Sequence, residues 1–319
     1  MLDNIYKYMP LRKEFFDNFL IRGSQKYALN DPFELRPSSN KHAKLLTENS
    51  YFDFAVISLS ETNNNLLMWS HYAAQHKGII LELDLKHQLF ENYSTFPATK
   101  YDEELDADVL DNEEIKRRSE IKAGKVQRVR YNTLRPSYTK FENILEHFLI
   151  KSDEWIYEKE HRIILPLVTA DRIIVHETHL PEIEFYAESP EVLDQKFIGN
   201  GMYMINLKKP LFEEGYRLIT QDDEYIDRED LVSAFVESII NAYLRKISED
   251  PRTIFLYHLD PKAIKSVYFG CRIDPQDKKY VMERITSNNE LKHIKVFQTE
   301  ASDERFELKF KTNKPIKKE

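Results

Sequence analysis

The sequence predicts an α+β fold, and three features predict it. Apolar runs of strand length, such as Phe54–Ser58, Ile79–Asp84 and Ile264–Phe269, recur from one end of the chain to the other. Between them lie segments whose apolar residues fall at helical spacing. Hydrophobic residues at 41% and aromatic residues at 12%, beside 31% charged, belong to a chain that buries a core rather than one that stays disordered.

Taken in order, Ile5–Met9 is a first short strand. Pro10 then opens a helix that Gly23 closes, with Leu11, Phe15, Phe16, Phe19 and Leu20 on one face. Asn30-Asp31-Pro32 is a turn. Phe54–Ser58 is a buried strand, and Asn63-Asn64-Asn65 cap a helix from Leu66 to Lys77 that stops at Gly78. Ile79–Asp84 is the next strand. The stretch Tyr101–Lys125, rich in Asp, Glu and Lys, is a solvated helix or loop. Val126–Tyr131 has strand character, and Phe141, Ile144, Leu145, Phe148 and Leu149 mark an amphipathic helix leading to Trp155. Glu160–Leu167 and Asp171–His176 are strands. Residues 187–252 look like a mainly helical insertion centred on Leu231, Val232, Phe235, Ile239, Ile240, Tyr243 and Ile247. Ile264–Phe269 is a strand, Asp274 and Pro275 open a helix to Glu290, and Ile294–Phe297 and Phe306–Phe310 close the fold. The expected layout is a core of residues 1–186 with 253–312, the insertion 187–252, and a disordered lysine-rich tail, 313–319.

The formal charge of −8 argues against broad nucleic-acid binding, which needs a basic surface. Cys271 is the sole cysteine, which rules out an internal disulfide and a cysteine-rich zinc site. No signal-peptide core and no apolar stretch of about 18 residues is present, so a cytoplasmic location without membrane contact is the expectation.

Two stretches concentrate chemically capable residues. In the first, Ser58, Ser60, Trp69, His71 and Tyr72 suit the lining of a cleft, aromatics stacking on a flat base and hydroxyls and imidazole bonding to its edges. The same residues also suit a packed helix face, with Trp69 and Tyr72 in the core and His71 bonded on the helix. The second stretch, Trp155–Pro166, sets polar residues directly before an apolar strand. If extended, it turns Glu158, Glu160 and Arg162 to one face and Lys159 and His161 to the other. Paired carboxylates there suit a reaction that develops positive charge. A Glu160–Arg162 ion pair at a strand edge is the plainer alternative.

Tyr6-Lys7-Tyr8, Asn30-Asp31-Pro32-Phe33-Glu34, Ser58-Leu59-Ser60, Leu67–Ala73, His76-Lys77-Gly78, Trp155–Arg162 and Val267-Tyr268-Phe269-Gly270 together resemble the bacterial domain-of-unknown-function family 2971. Its members are scattered among bacteria, often near mobile elements and phage-defence genes. A weaker resemblance is to the ADP-ribosyltransferase superfamily, with Ser58-Leu59-Ser60 in the place of its middle motif and Glu158-Lys159-Glu160 in that of its late one. That second likeness implies a split, mainly antiparallel sheet with flanking helices, and NAD as substrate. It also implies Glu160 as the catalytic glutamate on the nicotinamide ribose and Glu158 as the group that orients or deprotonates the acceptor. No Arg or His stands in the first strand, so Tyr6, Lys7 and Tyr8 would take its part, with Ser58, Ser60, Trp69, Tyr72 and Arg162 helping to bind NAD and His71 assisting catalysis.

The function expected first is an NAD-cleaving, ADP-ribosyltransferase-like toxin or phage-defence effector acting on a macromolecular acceptor. The second is a non-catalytic sensor or partner-binding module of a defence or toxin–antitoxin system, with segment 102–120 and helix 229–247 as contact surfaces. The third is a nuclease drawing on His71, His76, Glu158 and Glu160.

Overall fold

A computed structural model describes residues 2–36, 53–90, 124–135, 147–186, 194–207 and 240–312. The expected solvated stretch 101–125 and the helix at Phe141–Leu145 lie outside these residues almost entirely, as do Leu231–Ile239 and the tail.

The expected α+β class holds: the main body is a large, mostly antiparallel sheet with helices against it. Its eight strands run in the order β15 (Leu308–Thr312), β14 (Lys295–Ala301), β13 (Ile264–Phe269), β4 (Ile79–Asp84), β1 (Asn4–Met9), β3 (Phe54–Ser60), β8 (Glu160–Pro166) and β5 (Gln127–Arg128). Only β13 and β14 pair in parallel within it, joined through helix α4 (Pro275–Ser287), which Asp274 caps. A second sheet of five strands has the order β10 (Gln195–Gly199), β11 (Met202–Asn206), β9 (Arg172–His176), β12 (Ile254–His258) and β2 (Leu20–Gly23). A small parallel pair joins β6 (Arg130–Asn132) to β7 (Ile150–Ser152).

Side-chain alternation gives the large sheet two covered faces. Along β4, Ile79, Leu81 and Leu83 enter the main core with Ile173 and Phe255 of the second sheet and Val281 of α4. Ile80, between them, faces the other way and packs with Tyr8, Trp69 and Tyr268 under helix α2 (Leu66–Tyr72). On β8, Ile163 and Leu165 join the main core, whereas Ile164 belongs to a third cluster with Val56 and Phe148.

Two expectations need correction. The helix expected from Pro10 to Gly23 shrinks to α1 (Phe15–Asn18). Phe19 turns left-handed at φ 51°, and Leu20–Gly23 extends as β2 to pair with β12. That pairing, not local spacing, decides the conformation. The helix expected to reach Lys77 ends at Tyr72, because Ala74, Gln75 and His76 all have positive φ and form a left-handed turn into β4. Of the expected insertion 187–252, only 194–207 and 240–252 lie among the described residues. Residues 195–206 form the β10–β11 hairpin on β9, and helical residues 240–248 bury Tyr243, Leu244 and Ile247 in the main core.

Within the eight-stranded sheet the β1–β3 junction is the weakest described pairing. These strands share one ladder pair, Tyr6 with Ser60, and then diverge. Past the divergence Val56 of β3 exchanges both backbone hydrogen bonds with Ser24, which follows β2. The second sheet therefore meets the first at a fork. Gly23 permits the approach: a Cβ there would stand 2.6 Å from the Tyr257 ring and 2.9 Å from the Ala55 Cβ. Among the described residues no helix is long and apolar enough to cross a membrane.

Candidate functional site

A cavity of about 430 Å³ opens at this fork, a volume within the range of small-molecule sites. Nine of the eleven residues singled out from the sequence line it: Tyr6, Lys7, Tyr8, Ser58, His71, Tyr72, Glu158, Glu160 and Arg162. Ser60 and Trp69 do not. The indole of Trp69 is wholly buried, and its Nε1 donates to the Asn63 carbonyl at 3.0 Å, so it is core as the plainer alternative held. Ser60 donates to the Glu158 carbonyl at 2.7 Å and fixes the chain at that residue.

The acidic side of the cavity is a buried ionic network. Arg162, on β8 and 1% exposed, donates to Glu160 Oε1 at 2.7 Å and Oε2 at 3.1 Å, to the Phe148 carbonyl at 2.8 Å, and to Glu34. Lys151, on β7, donates to Glu158 Oε2 at 2.6 Å and Glu160 Oε2 at 3.2 Å, and stands 3.5 Å from Glu34. Three carboxylates thus share two cations. The ion pair at an exposed strand edge is therefore replaced by a desolvated cluster of three carboxylates and two cations, in which losing a cation leaves buried negative charge uncompensated.

The two central carboxylates are not equivalent. Burial pushes the Glu160 carboxyl up, but Arg162 and Lys151, with hydrogen bonds from Arg162 and Ser58, outweigh it and hold the group at about 2. Burial also raises Glu158, and the Glu160 charge adds to it. Lys151 and the Tyr72 hydroxyl oppose this without cancelling it, so Glu158 stays above the usual carboxylate value. Tyr72 donates to Glu158 Oε1 at 2.5 Å. Burial, reinforced by the Glu158 charge, keeps that hydroxyl protonated.

Local backbone explains how Glu158 reaches this place. Trp155–Pro166 is not extended throughout: Asp153–Glu158 is a short 3-10 helix, and Lys159 leaves it left-handed at φ 46° before β8 begins. Asn65 ties the turn to α2, its Oδ1 accepting from Leu67 and Met68 and its Nδ2 donating to the Tyr157 carbonyl at 2.7 Å. Tyr72 and Glu158 are thereby fixed to one another. His161 faces away, 3.8 Å from Glu61.

The fork supplies the remaining walls. Where a ladder hydrogen bond would continue from β1 to β3, the Lys7 Nζ donates to the Ser58 carbonyl at 2.9 Å. Burial lowers the Lys7 ammonium, Glu160 partly offsets this, and Arg22 and Arg12 lower it further, to about 8. Arg12 donates to the Leu20 carbonyl at 2.8 Å, and Arg22 rides on β2. Trp155 lines another part, with the Lys151 ammonium 4.9 Å from its ring centre.

Sequence reasoning missed Glu34, Lys151, Arg12 and Arg22. Glu34 was visible within the family-like motif Asn30–Glu34, but nothing local marks Lys151 on a three-residue strand. His76 does not line the cavity; it stacks on Trp69 with ring centres 6.3 Å apart. The four-residue set considered for a nuclease is therefore not brought together. Among the described residues no group of three or more His, Cys, Asp and Glu side chains is placed to hold a metal ion.

Residues 68–163 match the model of a protein family of unknown function, DUF2971, the family the sequence motifs resemble. The matched stretch carries Tyr72, Lys151, Glu158, Glu160 and Arg162, whereas Lys7, Arg12 and Arg22 precede it. No curated protein and no solved structure matches the chain, so the ADP-ribosyltransferase likeness gains no support from relatives.

Proposed function

We propose that the cavity at the fork is the active site of a bacterial cytoplasmic enzyme that cleaves NAD at the nicotinamide–ribose bond, serving as a toxin or defence effector. One observation carries the reading. Glu158, a carboxylate raised by burial and held between the Tyr72 hydroxyl and the Lys151 ammonium, lines a cavity of ligand size beside Glu160, which its cations keep ionised at neutral pH.

In such a cleavage the bond from ribose C1′ to the nicotinamide nitrogen breaks, and its electron pair leaves with nicotinamide. A nucleophile, water or an acceptor group, then bonds to C1′ and gives up a proton. Glu158 is the group suited to take that proton, because its acidity is moved toward neutrality. Glu160 has both oxygens committed to Arg162 and Lys151, so it suits a fixed negative charge near the developing oxocarbenium carbon better than a proton carrier. Glu158 thereby keeps the role first expected of it, while Glu160 acts through its charge rather than through a hydrogen bond to the nicotinamide ribose.

The test is incubation of the purified protein with NAD, with and without bacterial lysate, following free nicotinamide. Release that falls at least a hundredfold in Glu158→Gln is the expected result, on the order of the contribution of one general base. No release from the wild-type protein even with lysate present would overturn the reading and favour a partner-binding module.

A further inference from the structure

We propose that Lys7, Arg12 and Arg22 form an anion subsite in the cavity, shaped for the pyrophosphate of a nucleotide. The inference deepens the active-site reading by naming the substrate class, and it rests on that reading for the cavity's use. Its basis is a contrast between two sets of cations around one space. Lys151 and Arg162 are spent on Glu34, Glu158 and Glu160. Among the described residues Lys7 and Arg12 donate to backbone carbonyls, those of Ser58 and Leu20. The Arg22 Nε is buried and, among the described residues, has no hydrogen-bond partner. Among the described residues no carboxylate forms a salt bridge with any of the three, and all three line the cavity.

Three segments bring these charges together: β1, the turn before α1, and β2, which the β12 ladder holds at the fork. They lie close enough to oppose one another's protonation, Arg12 and Arg22 acting on Lys7 and Arg22 on Arg12. Such crowding of like charge inside a protein of net charge −8 is relieved by an anion. Two guanidinium forks and one ammonium favour phosphate oxygens, which accept in bidentate fashion, and more than one negative charge is needed to balance them.

The experiment is calorimetric titration of the full chain with pyrophosphate, ADP and inorganic phosphate, at low and high ionic strength. Pyrophosphate and ADP are expected to bind more tightly than phosphate, with affinity falling as salt rises. Arg12→Gln with Arg22→Gln should weaken both at least tenfold, while the exposed-lysine control Lys196→Gln binds as wild type. Circular dichroism establishes that each variant is folded. Absence of pyrophosphate and ADP binding, or equal binding by the folded double variant, overturns the inference. Binding that depends on these residues without NAD cleavage upholds the subsite and removes the enzymatic reading. Cleavage with an unchanged KM in the double variant does the reverse.

Discussion

Glu158 and Glu160 stand two residues apart, yet replacing each by glutamine should affect stability in different ways. Glu160 is fully enclosed, and its carboxyl drops from 4.5 to about 2 on folding. That drop corresponds to about 3 kcal/mol at neutral pH. A depressed folded-state value means the contribution is complete above about pH 4.5 and fades as pH falls toward 2. Glu160→Gln therefore costs about 3 kcal/mol at pH 7, the lower end of the ~3–5 kcal/mol seen when one partner of a buried pair is removed. The deficit narrows as pH is lowered below 4.5. Glu158 works in the opposite sense. Its folded-state value is raised, so ionising it opposes folding, and stability falls as pH rises through that value. Glu158→Gln keeps an acceptor for Tyr72 and leaves Lys151 its other two carboxylates. At pH 7 its loss should not exceed about 1 kcal/mol, one ordinary hydrogen bond. Urea unfolding of the three proteins across pH 2 to 7 reads both effects as midpoint shifts. If Glu158→Gln unfolds as readily as Glu160→Gln, or if Glu160→Gln falls within about 1 kcal/mol of wild type, the division of roles is wrong.

Two further outcomes follow from neighbouring contacts. Tyr72→Phe removes the hydroxyl that lowers Glu158, so the acidic limb of kcat/KM should move up by about one pH unit; an unmoved limb would separate Glu158 from the chemistry. Gly270→Ala places a Cβ 2.1 Å from the His76 carbonyl oxygen, a backbone atom of the left-handed turn. A loss of about 3 kcal/mol in urea unfolding is expected, high in the overpacking range, and an unchanged midpoint would show that the turn can yield.

Much of the sheet was legible because its strands are written as local runs. Ile79–Asp84 and Ile264–Phe269 have the observed limits, since Ile79-Ile80-Leu81 and Val267-Tyr268-Phe269 are apolar runs that supply both covered faces. The first helix was misread for an equally physical reason. Leu11, Phe15, Phe16, Phe19 and Leu20 do fit a helical face, but Leu20–Gly23 gains a ladder with a strand more than two hundred residues later, a partner no local pattern announces. In the site, Glu158, Glu160, Arg162 and Tyr72 were readable because they fall in two compact stretches. Lys151 and Arg22 were not, for what makes each significant is the missing or matching charge across the cavity. Trp69 shows the converse: its type suggested stacking on a ligand, and its zero exposure places it in the core.

The fork also sets an order of events on the ribosome. Glu34, Tyr72, Lys151, Glu158, Glu160 and Arg162 have all been made once the chain reaches Arg162. Arg22, though made early, gains its place on β2 only when Ile254–His258 emerges to pair with it. A growing chain can thus assemble its carboxylate network well before the neighbouring cations are fixed. The cavity becomes whole only once Ile254–His258 has been made, so what it does waits for most of the chain.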